Sequence, residues 1–243
     1  MGKTRRKRII LLCAAVLFLW LSVPGLGPDI AGLEAEYGWK VGGNLRALLS
    51  GAPPAELPDT PSARRLERLA VRTDTGYRHY RREEFGPAWA DTDRNGCDTR
   101  NDILGRDLKN PVFKAKTHHC VVLSGTLNDP YTGETIEFRR GKNTSQKVQI
   151  DHVVALADAW RSGAYRWTAR ERAEFANDTE NLLAVDGPQN VAKGASDISE
   201  WVPPNSSFRC AYAKQQILVK SKWKLSVSAA EKRAFGQILR RCP

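Results

Sequence analysis

The chain has 243 residues, 41% hydrophobic and 27% charged, with a formal net charge of +11. That length suits one domain with a real core plus a short appendage, and the composition is that of a soluble globular protein, which excludes a disordered chain. The charge is unevenly placed. Lys3, Arg5, Arg6, Lys7 and Arg8 crowd the start, no acid precedes Asp29, and residues 201–243 hold Glu231 as their single acid. That basic tail is where a polyanion footprint is expected.

Residues 1–23 read as a targeting segment. A basic flank precedes an apolar run from Ile9 to Val23, and Pro24-Gly25 ends it. As a helix the run spans roughly 22 Å, short of the ~30 Å hydrocarbon core, which favours a signal sequence over a spanning helix. No A-x-A-like cleavage site precedes Gly32, so an uncleaved membrane anchor through residues 9–23 is the alternative. Either way the basic flank stays in the cytoplasm and the rest is exported, secreted or held on the outer face of the cytoplasmic membrane. Beyond Cys13 lie Cys97, Cys120, Cys210 and Cys242. An even number in an exported chain reads as two disulfides. Sequence allows several pairings. The shortest non-crossing one, 97–120 with 210–242, is favoured; each bond would close a loop of about 25–35 residues, worth about 3 kcal/mol in the chain-entropy model. The scattered spacing, without a C-x-x-C, speaks against zinc.

Residues 24–61 are rich in Gly and Pro, with Pro53-Pro54, Pro58 and Pro61, and read as a semi-flexible spacer. A short helix within 30–50 would use Leu33, Tyr37, Leu45, Leu48 and Leu49. The globular domain is expected over 62–243. Residues 63–72 predict a helix with Leu66, Leu69 and Ala70 on one face. Residues 89–97 are polar and turn-like, and 98–109 predict a short helix. A hairpin follows: 119–124, a turn at 129–133, and 134–140, where Ile136 and Phe138 alternate with charged residues. Residues 146–150 are extended and run into Asp151-His152. Helical patterning returns at 153–161. Thr168 with Glu171 is a capping-box pattern opening a helix at 169–177. Gly187-Pro188 reads as a turn and 189–195 as a short helix. Pro203-Pro204 breaks the chain before two helices near 209–222 and 229–241. The second is opened by Ser228 with Glu231 and carries Ala234, Phe235, Ile238 and Leu239 on one face. The fold class is α+β: a small antiparallel sheet with helices around it, stapled by disulfides.

The chemistry concentrates in 149–197. Asp151-His152 is followed by Asn181, Asn190 and Lys193-Gly194. Carboxylate and amide oxygens suit a hard divalent cation, and an imidazole can take a proton from water near neutral pH. Singly these residues are unremarkable: an Asp-His pair often caps or bridges, Asn181 and Asn190 could serve a turn and a helix start, and Lys193 could be a solvated charge. Their order and spacing in an exported basic chain favour chemistry.

This segment resembles the HNH endonuclease family, specifically the exported branch with the DUF1524-type domain, related to the C-terminal domain of the GmrSD restriction endonucleases. The wider pattern also matches: CDTRNDIL at 97–104, SGTLNDPYTG at 124–133, VQIDHVVAL at 148–156 and WVPPN at 201–205. The likeness covers roughly residues 63–243. It implies a ββα-metal core. His152 would be the general base, Asp151 and Asn190 would ligate one divalent cation, Asn181 would orient the loop carrying His152, and Lys193 would steady the phosphate. Two oxygen-donor side chains leave most coordination positions to water and phosphate, which favours Mg²⁺ or Mn²⁺. The third motif position is Asn rather than His, which bears on metal choice. The expected activity is hydrolysis of DNA phosphodiesters with little sequence preference, since nothing marks a module that reads base edges. Arg209, Lys214, Lys220 and Lys222 are candidate phosphate contacts, weighed against an ordinary solvated helix face.

Other readings are weaker. His79, His118 and His119 are the remaining histidines; His118-His119 is placed at a strand start, where neighbours face opposite sides and do not share a metal. No G-x-S-x-G marks a serine hydrolase. Trp160, Trp167, Trp201 and Trp223 are assigned to the core rather than to base stacking. The runner-up function is a nucleic-acid-binding protein of the cell envelope with weak or no catalysis. A third is a disulfide-stapled structural domain. No protein partner is implied.

Overall fold

The computed structural model describes residues 56–73 and 79–242. The targeting segment, the spacer up to residue 55 and the helix expected within 30–50 lie outside the described residues. Among the described residues no helix is long and apolar enough to cross a membrane.

Helix α1 (Pro61–Arg68) opens where Thr60 accepts from the Ala63 amide and Pro61 presets the first turn. It stops earlier than the periodicity predicts: Leu69 is extended, and Val71 bridges to Val227. Helix α2 (Thr99–Asp107) is capped by Asp98 on the Asn101 amide. The first sheet is antiparallel, in the order β1 (Lys109–Phe113), β2 (Val122–Asn128), β3 (Thr135–Arg139). The β2–β3 hairpin keeps the expected turn and second strand, but its first strand runs later than the 119–124 expected, with Thr126 Oγ1 bonded across to Glu137 at 2.9 Å. Strand β1 was not foreseen, because Pro111 and a largely exposed edge leave no apolar alternation to read. His118 and His119 are not at a strand start. They sit in the β1–β2 connection with φ of +50° and +60°, and the His119 ring meets Phe113 edge-on at 5.4 Å.

The second sheet is a pair, β4 (Val148–His152) antiparallel to β5 (Leu182–Asp186), with His152 opposite Leu182 and Val148 opposite Asp186. Strand β5 was missed because its residues are buried almost throughout, so the period of two is lost. The β4–β5 connection holds α3 (Leu156–Arg161) and α4 (Ala169–Ala176), the latter opened by the expected Thr168–Glu171 box. Helix α5 (Gly187–Lys193) follows β5 directly. Gly187-Pro188 therefore begins a helix rather than forming a turn: Asp186 caps the Gln189 amide and the proline sits in the first turn, where its missing N–H costs nothing. A Cβ on Gly187 would lie 2.1 Å from the Gln146 carbonyl oxygen, so only glycine allows this junction. Helices α6 (Arg209–Lys222) and α7 (Ala229–Leu239) complete the domain, α7 opened by the expected Ser228–Glu231 box.

Three apolar clusters hold these parts together. Leu66, Tyr212, Ile217, Phe235 and Leu239 join α1, α6 and α7. Phe85, Trp160, Phe175 and Leu225 form a second cluster, against which Trp167 and Trp223 pack. Trp201 packs on the first cluster, so all four tryptophans assigned to the core lie there. Ile103 and Leu104 of α2 meet Phe138, Val148, Ile150 and Leu182 in the third, binding the two sheets to one helix. The disulfides pair Cys97 with Cys120 and Cys210 with Cys242, as favoured from the sequence. The mixed α+β class is what the sequence predicts.

Candidate active site

Strand alternation sorts the motif. Val148 and Ile150 of β4 face α2 in the apolar cluster, and His152 shares their side. Gln149 and Asp151 turn the other way, toward α5, where they meet Asn190 and Lys193.

The His152 ring stacks on Trp89, with centroids 5.9 Å apart and planes 10° from parallel. Its Nε2 lies 2.8 Å from the Ala176 carbonyl oxygen. A carbonyl can only accept, so Nε2 carries the proton and Nδ1 keeps the lone pair. Burial pushes the imidazole pKa down from 6.5 to about 4; the Ala176 carbonyl and the Asp151 charge pull the other way, and the Arg82 and Lys193 charges add to the depression. The ring is therefore neutral at pH 7.

Behind His152 the chain is fixed at every polar backbone atom. The Val153 amide donates to the Asn181 carbonyl and the Val154 amide to Asn181 Oδ1, both at 2.8 Å. Asn181 Nδ2 donates back to the Val154 carbonyl at 3.2 Å, and Gln216 of α6 donates to the Val153 carbonyl at 2.8 Å. Asn181 is fully buried and Gln216 nearly so. Asn181 thus clasps the segment that follows His152.

Asp151 is buried and fully engaged. The Lys193 ammonium lies 2.8 and 2.7 Å from its two oxygens and 2.6 Å from the His152 carbonyl. The Tyr131 hydroxyl donates to the same carboxylate. Burial first, then the Asp151 charge, raises the Tyr131 phenol well above its usual range, so it stays a neutral donor. The Asn190 side chain donates to Gln149 Oε1 at 2.9 Å.

Several basic residues sit differently from expectation. Lys193 is buried with its donors taken, so it does not reach a phosphate. Lys220 is fully buried, 2.7 Å from Asp158 and 2.5 Å from Glu231. Burial opposes its charge, but attraction to those two carboxylates wins and raises its pKa. Lys222 bridges Asp178 and Glu180 at the surface, tying α6 to the turn before Asn181. Arg209 donates to the Pro203 and Pro204 carbonyls, and it lines a cavity of about 520 Å³ between the 198–210 segment and α7 together with Arg233 and Arg241. That cavity includes none of Asp151, His152, Asn181 or Asn190. Lys214 is half-buried and forms no ion pair among the described residues.

Three groups bear on metal binding. The expected ligands Asp151 and Asn190 do not present an open pair, since both Asp151 oxygens already accept from Lys193 and Tyr131, while Asn190 spends its Nδ2 on Gln149. Asp158, Asp197 and Glu231 bring carboxylate oxygens within 4.8 Å of one another, but Lys220 and Arg72 lie among them, Arg72 2.8 Å from Glu231, so the protein supplies its own cations there. At the surface, Asp91, Asp93, Asn95 and Asp102 follow the 1, 3, 5, 12 spacing of calcium loops with Gly96 at position 6. Asn95 bonds Asp93 at 3.1 Å and Asp102 at 3.2 Å, and Gly96 has φ +92°. Asp102 stands where such loops carry a bidentate Glu.

Trp89, Tyr131, Gln149 and Gln216 were not singled out from sequence. Gln149 alone could have been, as the residue two before Asp151 on the same strand face.

The family profile described as "GmrSD restriction endonucleases, C-terminal domain" matches residues 98–238. A protein of Arthroderma benhamiae described as an "Uncharacterized secreted protein" is 38% identical over 204 residues, covering 82% of this chain and 95% of the relative. No solved structure matches. With more than half of the chain inside the profile, the protein belongs to the family of the GmrSD restriction endonuclease C-terminal domain.

Proposed function

We propose that this chain is an exported endonuclease of the HNH type, hydrolysing DNA phosphodiester bonds with little sequence preference, and that β4, β5 and α5 form its ββα core. The observation that carries this reading is His152 itself. It closes β4, its tautomer is set by the Ala176 carbonyl, and Asn181 locks the segment behind it. A histidine held this way presents Nδ1 as a base for a water attacking phosphorus, and its lowered pKa keeps it unprotonated at neutral pH. Arg82, half-buried and donating to the Gly86 carbonyl at 3.1 Å, has a charge that reaches the same imidazole and is the candidate for a phosphate contact. Membership of a restriction-endonuclease family supports the reaction class. Two disulfides, and a relative described as secreted, support an exported location, with residues 9–23 as signal or anchor.

The HNH likeness also implies a divalent cation, Mg²⁺ or Mn²⁺, which when bound would polarise a phosphate oxygen. The expected pair does not fit it as it stands, because Lys193 and Tyr131 hold both oxygens of Asp151.

The test is plasmid nicking by the oxidised full chain with Mg²⁺, with Mn²⁺ and with EDTA, beside His152→Ala. Cleavage lost in the folded variant supports the reading. Cleavage unchanged in His152→Ala sinks it, and DNA binding without cleavage in the wild type returns the chain to the nucleic-acid-binding class.

A further inference from the structure

We propose that Lys193 takes the cation position beside Asp151, so that the buried Asp151–Lys193 pair positions His152 and Asp151 is not a metal ligand. The proposal rests on the reading of His152 as the base. Its first ground is saturation. An ammonium has three donors, and Lys193 spends them on Asp151 Oδ1, Asp151 Oδ2 and the His152 carbonyl, at 2.8, 2.7 and 2.6 Å. Asp151 accepts from Tyr131 as well.

Access is the second ground. The side chains of Lys193 and Asp151 are 0% and 6% exposed. Mg²⁺ dehydrates reluctantly and keeps several waters in its shell, and this site is closed to them. The third ground is direction. Asn190, the other expected ligand, bonds Gln149, which lies two residues before Asp151, about 7 Å along an extended strand. The Asn190 amide donates to Gln149 and not to Asp151, whose own oxygens are taken by Lys193 and Tyr131.

The third Lys193 bond gives the pair its purpose. It joins the last residue of α5 to the peptide carbonyl of His152. Asp151 orients the ammonium, the ammonium fixes that carbonyl, and the carbonyl sets the angle at which the imidazole leaves β4 toward Trp89. Asn181 secures the chain on the following side. Both flanks of His152 are therefore held by buried polar groups. Lys193 is a positioning residue and need not touch DNA.

The experiment uses the full chain as wild type, Asp151→Asn, Lys193→Met and the double variant Asp151→Asn/Lys193→Met. The double variant removes both charges together and guards against loss of folding in either single one. Mn²⁺ binding is followed by electron paramagnetic resonance. The His152 ring protons, shifted by the Trp89 ring current, are followed by NMR. Cleavage is split into kcat and KM. Expected are Mn²⁺ affinities within two-fold across the set, or no Mn²⁺ binding in any member. Lys193→Met should move the His152 ring resonances and lower kcat at least ten-fold with KM unchanged. A ten-fold or greater loss of Mn²⁺ affinity in Asp151→Asn, or a comparable gain in Lys193→Met, would overturn the proposal, as would His152 resonances unchanged in both Lys193 variants. Absence of cleavage by the wild type would sink the nuclease reading alone, since the Mn²⁺ and NMR results decide the pair's role without it.

Discussion

Replacing Asn181 by Ala tests whether the clasp behind His152 is a structural necessity. The substitution deletes an acceptor 2.8 Å from the Val154 amide and a donor 3.2 Å from the Val154 carbonyl. Asn181 and Val154 are fully buried, so the two backbone groups are left without a substitute from bulk water. Each lost bond has a net worth of about 1 kcal/mol, and stranding a buried donor or acceptor costs about 1–3 kcal/mol. The Val153 amide bond survives, because it uses the Asn181 backbone carbonyl. The sum is about 3 kcal/mol, with the lower end reached if a water enters the space of the amide. For a domain of this size 1 kcal/mol moves Tm by about 2–4 °C, so the expected fall is about 9 °C. Differential scanning calorimetry of the oxidised protein beside wild type measures it. The nicking rate at a temperature where both are folded should drop as well, because the segment behind the base is loosened. A Tm change under about 3 °C would refute the reasoning, by showing that Val154 is satisfied some other way.

The depressed His152 pKa has a pH signature with a definite sign. Between 6.5 and about 4 the unfolded chain takes up a proton that the folded ring refuses, so the histidine destabilises the fold as pH falls through that window and leaves stability flat above it. At pH 4.5 the loss approaches about 2.5 kcal/mol. Urea unfolding of wild type and His152→Asn at pH 7 and pH 4.5 should show the wild type losing more by about that amount; equal losses would contradict the burial of the ring. Lys220→Met strands Asp158 and Glu231 in the interior with only Arg72 near them, and removing one partner of a buried pair costs about 3–5 kcal/mol; a urea-derived loss under about 1 kcal/mol would show that the network is neutral without it. Cys210→Ser with Cys242→Ser opens a bridge spanning 32 residues, for an expected loss of about 3.7 kcal/mol in the chain-entropy model, read as a lower urea midpoint than wild type under the same oxidising conditions.

The sequence discloses its local codes more readily than its burial. Thr168 with Glu171 and Ser228 with Glu231 announced two helix starts that form as capping boxes, because a cap involves residues three apart and needs no tertiary knowledge. The β2–β3 hairpin was legible for the same reason, through Ile136 and Phe138 alternating beside a Gly-containing turn. Strand β5 was not, since a strand buried on both faces shows no alternation to read. Of the candidate site, Asp151, His152, Asn181 and Asn190 stand out by order and spacing, yet their faces do not: only the strand alternation of β4 and the placement of α5 show that Asp151 looks at Lys193 while His152 looks at Trp89. Trp89 lies in a turn with φ +60°, where no periodicity could flag it.

Charge is where sequence reading goes furthest astray, and the reason is physical. A lysine is counted as surface because a buried ammonium is costly, but that cost is offset when carboxylates arrive from elsewhere in the chain. Lys193 finds Asp151 from a strand 42 positions earlier, and Lys220 finds Asp158 and Glu231. Two of the five cations assigned to nucleic acid are therefore internal counter-ions. Lys222 is offset by two surface acids and Arg209 is turned onto carbonyls, which leaves Lys214 as the one candidate of that set without such a commitment among the described residues. The net charge of +11 thus overstates what α6 offers a polyanion. On the proposed reading the footprint draws on cations beside His152, and Arg82, bonded to one carbonyl as Arg209 is to two but with a charge that depresses that imidazole, is the first to mutate. If Arg82→Ala weakens DNA binding more than Lys214→Ala does, the binding surface follows the base and not the basic tail.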